Sequence, residues 1–178
     1  MDTKSIVYIA LFAALTAALG LMPPVSFAGL ALPPITAQSL GVMLAGAVAG
    51  ARRGGLALLL FVVLVAVGLP LLAGGRGGFG VLAGTSGGFI LAWPLCAALI
   101  GYLVSKAPGA GFAMTAVSIA LGGIVLMYAI GIPWMAFVGK LGLAKSLTIM
   151  VAYVPGDLVK VVLATIIVRG LRRAYPNL

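Results

Sequence analysis

Residues 56–72 read Leu56-Ala-Leu-Leu-Leu-Phe61-Val-Val-Leu-Val-Ala-Val67-Gly-Leu-Pro70-Leu-Leu72, without a single charged side chain. A helix needs roughly 17–25 predominantly apolar residues to cross the hydrocarbon of a bilayer. This run meets the lower limit, and the sequence on either side of it repeats the pattern. Working outward, further apolar segments fall at Ser5–Met22, Thr36–Ala51, Gly87–Val104, Ala113–Gly131 and Thr148–Val168. With Leu56–Leu72 they make six candidate spans. The expected fold is therefore an all-α membrane protein, a compact bundle of about six transmembrane helices. Residues 1–178 form one domain, since no polar linker divides them. The first segment, with Lys4 ahead of it, is read as a retained span rather than a cleaved signal.

Composition supports the same class. Hydrophobic residues make up 63% of the chain and charged residues 7%, whereas an ordinary soluble domain carries about 25% charged residues. The net charge is +9, from 11 Lys+Arg against 2 Asp+Glu. These cations flank apolar spans, and no basic stripe is interleaved with aromatics, so the surplus points to a lipid bilayer and not to nucleic acid. With six spans, Lys4, Arg52, Arg53, Lys106, Arg169, Arg172 and Arg173 fall on one side. Arg76, Lys140 and Lys145 fall on the other. The larger set marks the cytoplasm and places both termini there.

The same composition excludes most chemistry. There is no histidine and one cysteine, Cys96, which removes the usual zinc sites, disulfides and Ser–His–Asp or Cys–His catalysis. Asp2 and Asp157 are the only carboxylic side chains, too few and too far apart for paired-carboxylate catalysis. The chain is not expected to be an enzyme, and no cofactor or metal is expected. Cys96 lies in an apolar run and reads as a small buried hydrophobe.

The connections are rich in Pro and Gly. Pro23, Pro24, Pro33 and Pro34 bracket the first, and Gly74, Gly75, Gly77, Gly78, Gly80, Gly84, Gly87 and Gly88 crowd the third. Irregular backbone at membrane depth must lie at the interface or line a protein-walled cavity. Both connections face outward and are positioned to form a lid. No convincing internal repeat is present.

The sharpest feature is Tyr153-Val-Pro155-Gly156-Asp157-Leu-Val-Lys160 in the last segment. Asp157 and Lys160, three apart, share a helix face, and Tyr153, four before Asp157, joins it. Pro155 lacks an amide hydrogen and should kink the helix or free a carbonyl. A charge at mid-bilayer costs about 2.5–3.5 kcal/mol on insertion scales, and intramembrane ionisable groups usually mark a site or pathway. The alternative is an ion pair that only fixes helix packing. As a site, Asp157 accepts hydrogen bonds and Lys160 donates them, so together they complement adjacent N–H and carbonyl groups. A cyclic urea, an amide, an amino acid or an ion would each satisfy that pattern.

Two apparent nucleotide motifs fail. Gly75-Arg-Gly77-Gly-Phe-Gly80 matches G-x-G-x-x-G by letter but lacks the preceding strand and the βαβ unit. It reads instead as a compact loop whose amides, with that of Gly75, approach a ligand. Arg76 is then either a carboxylate partner or a solvated outer charge. Gly139-Lys-Leu-Gly-Leu-Ala144-Lys145-Ser146 has Ala where a P-loop needs Gly. Thr36 and Gln38 open the second span on the outer side. Thr36 is placed to cap that helix. Gln38, a buried amide that needs partners, is placed to face the same mouth as Asp157. In the first span Ala10, Ala14 and Ala18 form one small-residue face, suited either to packing inside the bundle or to docking another membrane protein.

Taken together, Pro34-Ile-Thr36-Ala-Gln38-Ser-Leu-Gly41, Gly74-Gly75-Arg76-Gly77-Gly78-Phe79-Gly80-Val-Leu-Ala-Gly84, Gly87-Gly88-Phe89 and Pro155-Gly156-Asp157-Leu-Val-Lys160 resemble the BioY family over nearly the whole chain. That family comprises the biotin-binding S components of energy-coupling factor (ECF) transporters. The resemblance implies an outward-facing biotin pocket in a six-helix bundle of the bacterial cytoplasmic membrane. There Asp157 and Lys160 would hold the ureido ring, and Tyr153, Gln38, Thr36, Arg76 and Gly75 would complete the site. It also implies a transmembrane coupling subunit docked on the Ala10–Ala14–Ala18 face and a pair of ABC-type ATPases as the source of power. One departure is visible. The family loop typically reads Gly-Pro-Thr-Gly-Gly, whereas this chain has Gly84-Thr85-Ser86-Gly87-Gly88, which loosens φ at one position. From the residues alone, a proton-coupled small-solute carrier and a non-transport membrane scaffold remain as alternatives.

Overall fold

A computed structural model describes residues 2–24, 35–107, 109 and 111–175. Residues 25–34, with Pro33 and Pro34 of the expected outer lid, lie outside the described part. Helix α1 (Thr3–Leu19) opens on Asp2, whose carboxylate accepts from the Ser5 amide at 3.3 Å. An N-cap of this kind satisfies one of the free amides of the first turn.

Helix α2 (Gln38–Ala66) is continuous in hydrogen bonding except at Gly50, where φ is 83° and ψ is 175°. Only glycine takes that conformation without strain, and the chain reverses there. A Cβ on Gly54 would lie 2.5 Å from the Ala45 carbonyl oxygen, whereas nine residues of straight helix span about 13.5 Å. So α2 is a hairpin with arms at 38–49 and 51–66, and it supplies both the second and the third expected spans. The second arm ends at Ala66 rather than Leu72. Gly68, with φ of 109°, and Pro70 turn the chain into a loop.

Beyond the loop come the short α3 (Phe79–Ala83) and α4 (Gly87–Lys106). Next, α5 (Phe112–Ala120), a π-helical segment (Leu121–Leu126) and α6 (Met127–Val138) form one run of 27 residues. This run passes the expected end at Gly131 because Pro133 is accommodated within the helix, as is common where neighbouring helices and local adjustments satisfy the freed groups. The last expected span is two helices, α7 (Leu143–Val151) and α8 (Val154–Ala174), bent by 54°. Pro155 lies in the first turn of α8, where a missing amide hydrogen has no helical partner to lose. The motif that reads as mid-helix therefore begins a helix.

Three continuous runs, Gln38–Ala66, Gly87–Lys106 and Phe112–Val138, are long and apolar enough to cross a membrane, and the bent α7–α8 pair makes a fourth. With α2 resolved into its two arms and the apolar α1 added, six helical segments make up the bundle among the described residues, consistent with the expected number. The α2 hairpin lies centrally, packed between α1 and α4, with Met43, Leu58, Phe61 and Ile100 fully buried. Leu95, Val117, Val125, Phe137 and Ile166 point outward. Apolar exposure on all sides of the bundle suits lipid and not water.

The hairpin depends on close approach at its turn. A Cβ on Gly101 of α4 would collide with the backbone of Gly50 and Ala51. Gly101→Leu should therefore lower stability by roughly 1–3 kcal/mol through overpacking. Gly50→Ala, with no atom within 4 Å of its Cβ, should cost about 1–2 kcal/mol from its left-handed φ alone. Thermal unfolding in detergent measures both. A Gly50→Ala protein as stable as the parent would contradict the reversal at Gly50.

Candidate functional site

The break between α7 and α8 delivers Asp157 into the first turn of α8. The Asp157 amide donates to the Tyr153 carbonyl at 3.1 Å, closing that turn. A carboxylate here is stabilised by the positive end of the helix dipole. Asp157 is 7% exposed and Tyr153 5% exposed, so both are withdrawn from lipid and water.

Asp157 Oδ1 meets Lys160 Nζ at 2.9 Å. Its Oδ2 accepts from the Tyr128 hydroxyl at 2.6 Å, and Lys160 Nζ also donates to Ser39 Oγ at 2.9 Å. The result is a polar chain, Tyr128–Asp157–Lys160–Ser39, drawn from α6, α8 and the start of α2. Charge-assisted bonds of this length are about twice as strong as neutral ones. Tyr128 stands two residues past the π-helical segment, whose extra width shifts the helical register. Phe89 of α4 meets the Tyr128 ring edge-on at 6.3 Å between centroids. Trp134 donates from Nε1 to the Gly84 carbonyl at 2.9 Å, tying the 84–88 loop to α6. Tyr128, with the Phe89 ring packed on it, thus stands beside Asp157.

Gln38 has a different place. It is 1% exposed, and its amide is engaged at both ends by backbone. Nε2 donates to the carbonyls of Thr16 at 3.1 Å and Leu71 at 3.0 Å, and Oε1 accepts from the Ala73 amide at 2.9 Å. It therefore braces α1, α2 and the third connection. That connection is a tight turn in which Leu72 and Arg76 exchange two backbone hydrogen bonds. Gly74 and Gly75 take φ of 78° and 69° inside it. Arg76 Nε donates to the Ala73 carbonyl at 3.0 Å, so the guanidinium helps hold the turn. Gly75, Arg76 and Gln38 thus form one assembly. It joins the charged pair where Gln38 is followed by Ser39. Thr36 is half-buried ahead of α2, but the helix starts from Ala37 without a side-chain cap, which corrects the capping expectation. Ala10, Ala14 and Ala18 lie on the exposed face of α1, away from this site, while Ala13 is buried.

Sequence reading missed Tyr128 and Ser39. A tyrosine in the middle of an apolar run was the available signal, since a buried phenol usually finds a partner. Ser39 gave no signal beyond its proximity to Gln38.

Residues 1–177 match the family model described as BioY family. The biotin transporter BioY of Rhizobium etli is 44% identical, covering 100% of this chain and 98% of the relative. The biotin transporter BioY of Rhodobacter capsulatus is 43% identical over 98% of this chain and 96% of its own. The crystal structure of the S-component for biotin from an ECF-type ABC transporter superposes with a TM-score of 0.89. It is 31% identical, with 97% of this chain and 95% of that chain covered.

The pair geometry makes a prediction about stability. Lys160→Met strands a buried carboxylate and should cost about 3–5 kcal/mol, whereas the Asp157→Asn/Lys160→Met double variant should recover much of that loss. Gln38→Leu should cost about 2–4 kcal/mol by leaving backbone groups unpaired. Unfolding midpoints in detergent check both. A double variant no more stable than Lys160→Met would show that the pairing does not set the cost.

Proposed function

The chain belongs to the BioY family, and we propose that it binds biotin at the Tyr128–Asp157–Lys160–Ser39 chain as the S component of an ECF-type transporter, and so carries out biotin uptake rather than catalysis. The single observation that carries the site is the bonding capacity left in this chain. A carboxylate has about four lone-pair positions and an ammonium three donors. Among the described residues, Asp157 uses one position on each oxygen and Lys160 uses two of its donors. By this count two acceptor positions and one donor remain on the pair. A ureido ring offers two N–H donors and one carbonyl oxygen, the complementary set.

In this reading Asp157 accepts the ureido N–H groups and Lys160 donates to the ureido oxygen. Tyr128 and Ser39 hold the two charges in place. Tyr153 and Phe89 supply apolar wall for the fused ring. Gln38, Gly75 and Arg76 set the shape of the mouth, with Arg76 on the side where a valerate carboxylate would emerge, and Thr36 borders it. The exposed Ala10–Ala14–Ala18 face suits close approach by a transmembrane coupling subunit, itself driven by an ABC-type ATPase pair. In this reading the protein lies in the bacterial cytoplasmic membrane, and the surplus of cations at one end supports an orientation with both termini inside.

Calorimetric titration of the detergent-solubilised protein with biotin tests the site. The parent should bind, and Asp157→Asn and Lys160→Ala should each weaken binding by several kcal/mol. Tyr128→Phe should weaken it by about 1.5–3 kcal/mol, as for a bond to a charged group. No biotin binding by the parent would overturn the substrate. Parent-like binding by both charge variants would move the pocket elsewhere.

A further inference from the structure

The opposite end of the bundle holds a second charged feature that biotin binding does not use. A cleft of about 610 Å³ opens between the Gly50 turn of α2, the end of α4, the start of α5 and the end of α8. Arg53, Arg169, Arg172 and Arg173 line it, above apolar walls that include Val48 and Val104, and no carboxylate is among its lining residues. Asp157 to Arg169 is twelve residues of helix, about 18 Å, so the cleft is separate from the polar chain at the outer end.

Two of the arginines are fixed by the fold. Arg172 Nη2 lies 3.4 Å from the Ala47 carbonyl, one of the carbonyls left without a helical partner by the break at Gly50. Arg53 Nε donates to Ser5 Oγ at 2.9 Å, and its guanidinium lies 5.3 Å from the centre of the Tyr8 ring. Arg169 is half-buried and engaged, and Arg173 is exposed. Among the described residues, no carboxylate lines the cleft beside this group. Asp157 pairs with Lys160 at the outer end, and Asp2 caps α1 and lines an adjoining cleft with Arg52 and Arg53. Hydrogen bonding from Ser5, with a smaller contribution from the charge of Arg53, holds the Asp2 carboxyl below its ordinary pKa.

The surroundings indicate which anion suits the cleft. Ile166 and Ile167, 56% and 41% exposed, lie three and two residues before Arg169 on α8. On α4, Tyr102 is exposed with the Lys106 ammonium 5.3 Å from its ring centre. Apolar side chains giving way to an aromatic ring and cations mark the level where acyl chains meet headgroups. A basic pocket between helices at the cytoplasmic leaflet has the chemistry of a lipid phosphate site. We propose that the Arg53–Arg169–Arg172–Arg173 cleft binds the phosphodiester headgroup of an anionic phospholipid of the inner leaflet, with Val48 and Val104 beside the start of its acyl chains.

The test is native mass spectrometry of the full chain released from detergent with phosphatidylglycerol or phosphatidylcholine of matched chain length. Arg169→Gln/Arg173→Gln is the variant, because it leaves the Arg53–Ser5 and Arg172–Ala47 contacts in place. The parent should retain phosphatidylglycerol preferentially. The variant should lose roughly thirtyfold of that preference, at about 1 kcal/mol for each arginine removed near the surface, while still binding biotin. Glycerol phosphate at matched ionic strength should not displace the lipid. Displacement by it would identify a site for soluble anions and overturn the lipid assignment. Equal retention of the two lipids by the parent would overturn it as well, including where an acidic peptide proves to bind the cleft. Should the variant fail to fold, the parent's lipid selectivity and the glycerol phosphate competition decide the matter alone.

Discussion

A buried carboxylate in a bundle that faces lipid has to be paid for locally, and Asp157 organises one half of this protein around that need. The α7–α8 break places it at the positive end of a helix dipole. Lys160 neutralises it from the same helix, Tyr128 supplies the shortest hydrogen bond described at the site, and Ser39 anchors the lysine to α2. Three helices therefore have to be in register for one charge to be tolerated. Because removing a partner from a buried pair costs more than the intact pair contributes, the arrangement constrains geometry more than it adds stability.

The second constraint is backbone satisfaction. A chain with 26 glycines and 10 prolines interrupts its helices often, and each interruption frees amides and carbonyls that hydrocarbon cannot solvate. Side chains at the two ends answer this differently. Gln38 pairs with both Leu71 and Ala73 of the third connection, which is thereby fixed against α1 and α2. At the opposite end Arg172 reaches a carbonyl left over by the reversal at Gly50. The connection of both devices to charge or ligand chemistry is secondary to this task. It explains why Gln38, read as a candidate ligand residue, is fully engaged by backbone.

How far the fold was legible depended on the kind of signal. Uninterrupted apolar runs such as 56–72 identified the membrane class and the number of passes, because hydrophobic length is a local property of sequence. The ends of those passes were less legible, since Pro133 is absorbed within α6 whereas Pro155 follows a break. Proline reports a missing donor and says nothing of what neighbours supply. For the site, the i, i+3 spacing of Asp157 and Lys160 was readable because both lie on one helix. Tyr128 lies 29 residues from its partner and Ser39 lies 121 from its own. Pairings of that range are decided by packing, in this case by the π-helical turn before Tyr128 and the hairpin that carries Ser39.

Protein groups alone link the polar chain from Tyr128 to Ser39, and this bears on how a transport subunit of this kind would work. If a ureido ring adds bonds to acceptor and donor positions already oriented by Tyr128 and Ser39, little reorganisation is needed on binding, and the entropic cost of ordering the charges has been met during folding. The polar contacts then select which ring fits, because a ligand without the matching donors and acceptor would leave buried groups unpaired. The aromatic and aliphatic walls contribute affinity in proportion to the apolar area they cover. Release would demand a change in those walls and in the mouth, not the dismantling of the ion pair. The residues positioned for such a change are in the third connection, braced by Gln38, and in the 84–88 loop, to which Trp134 bonds.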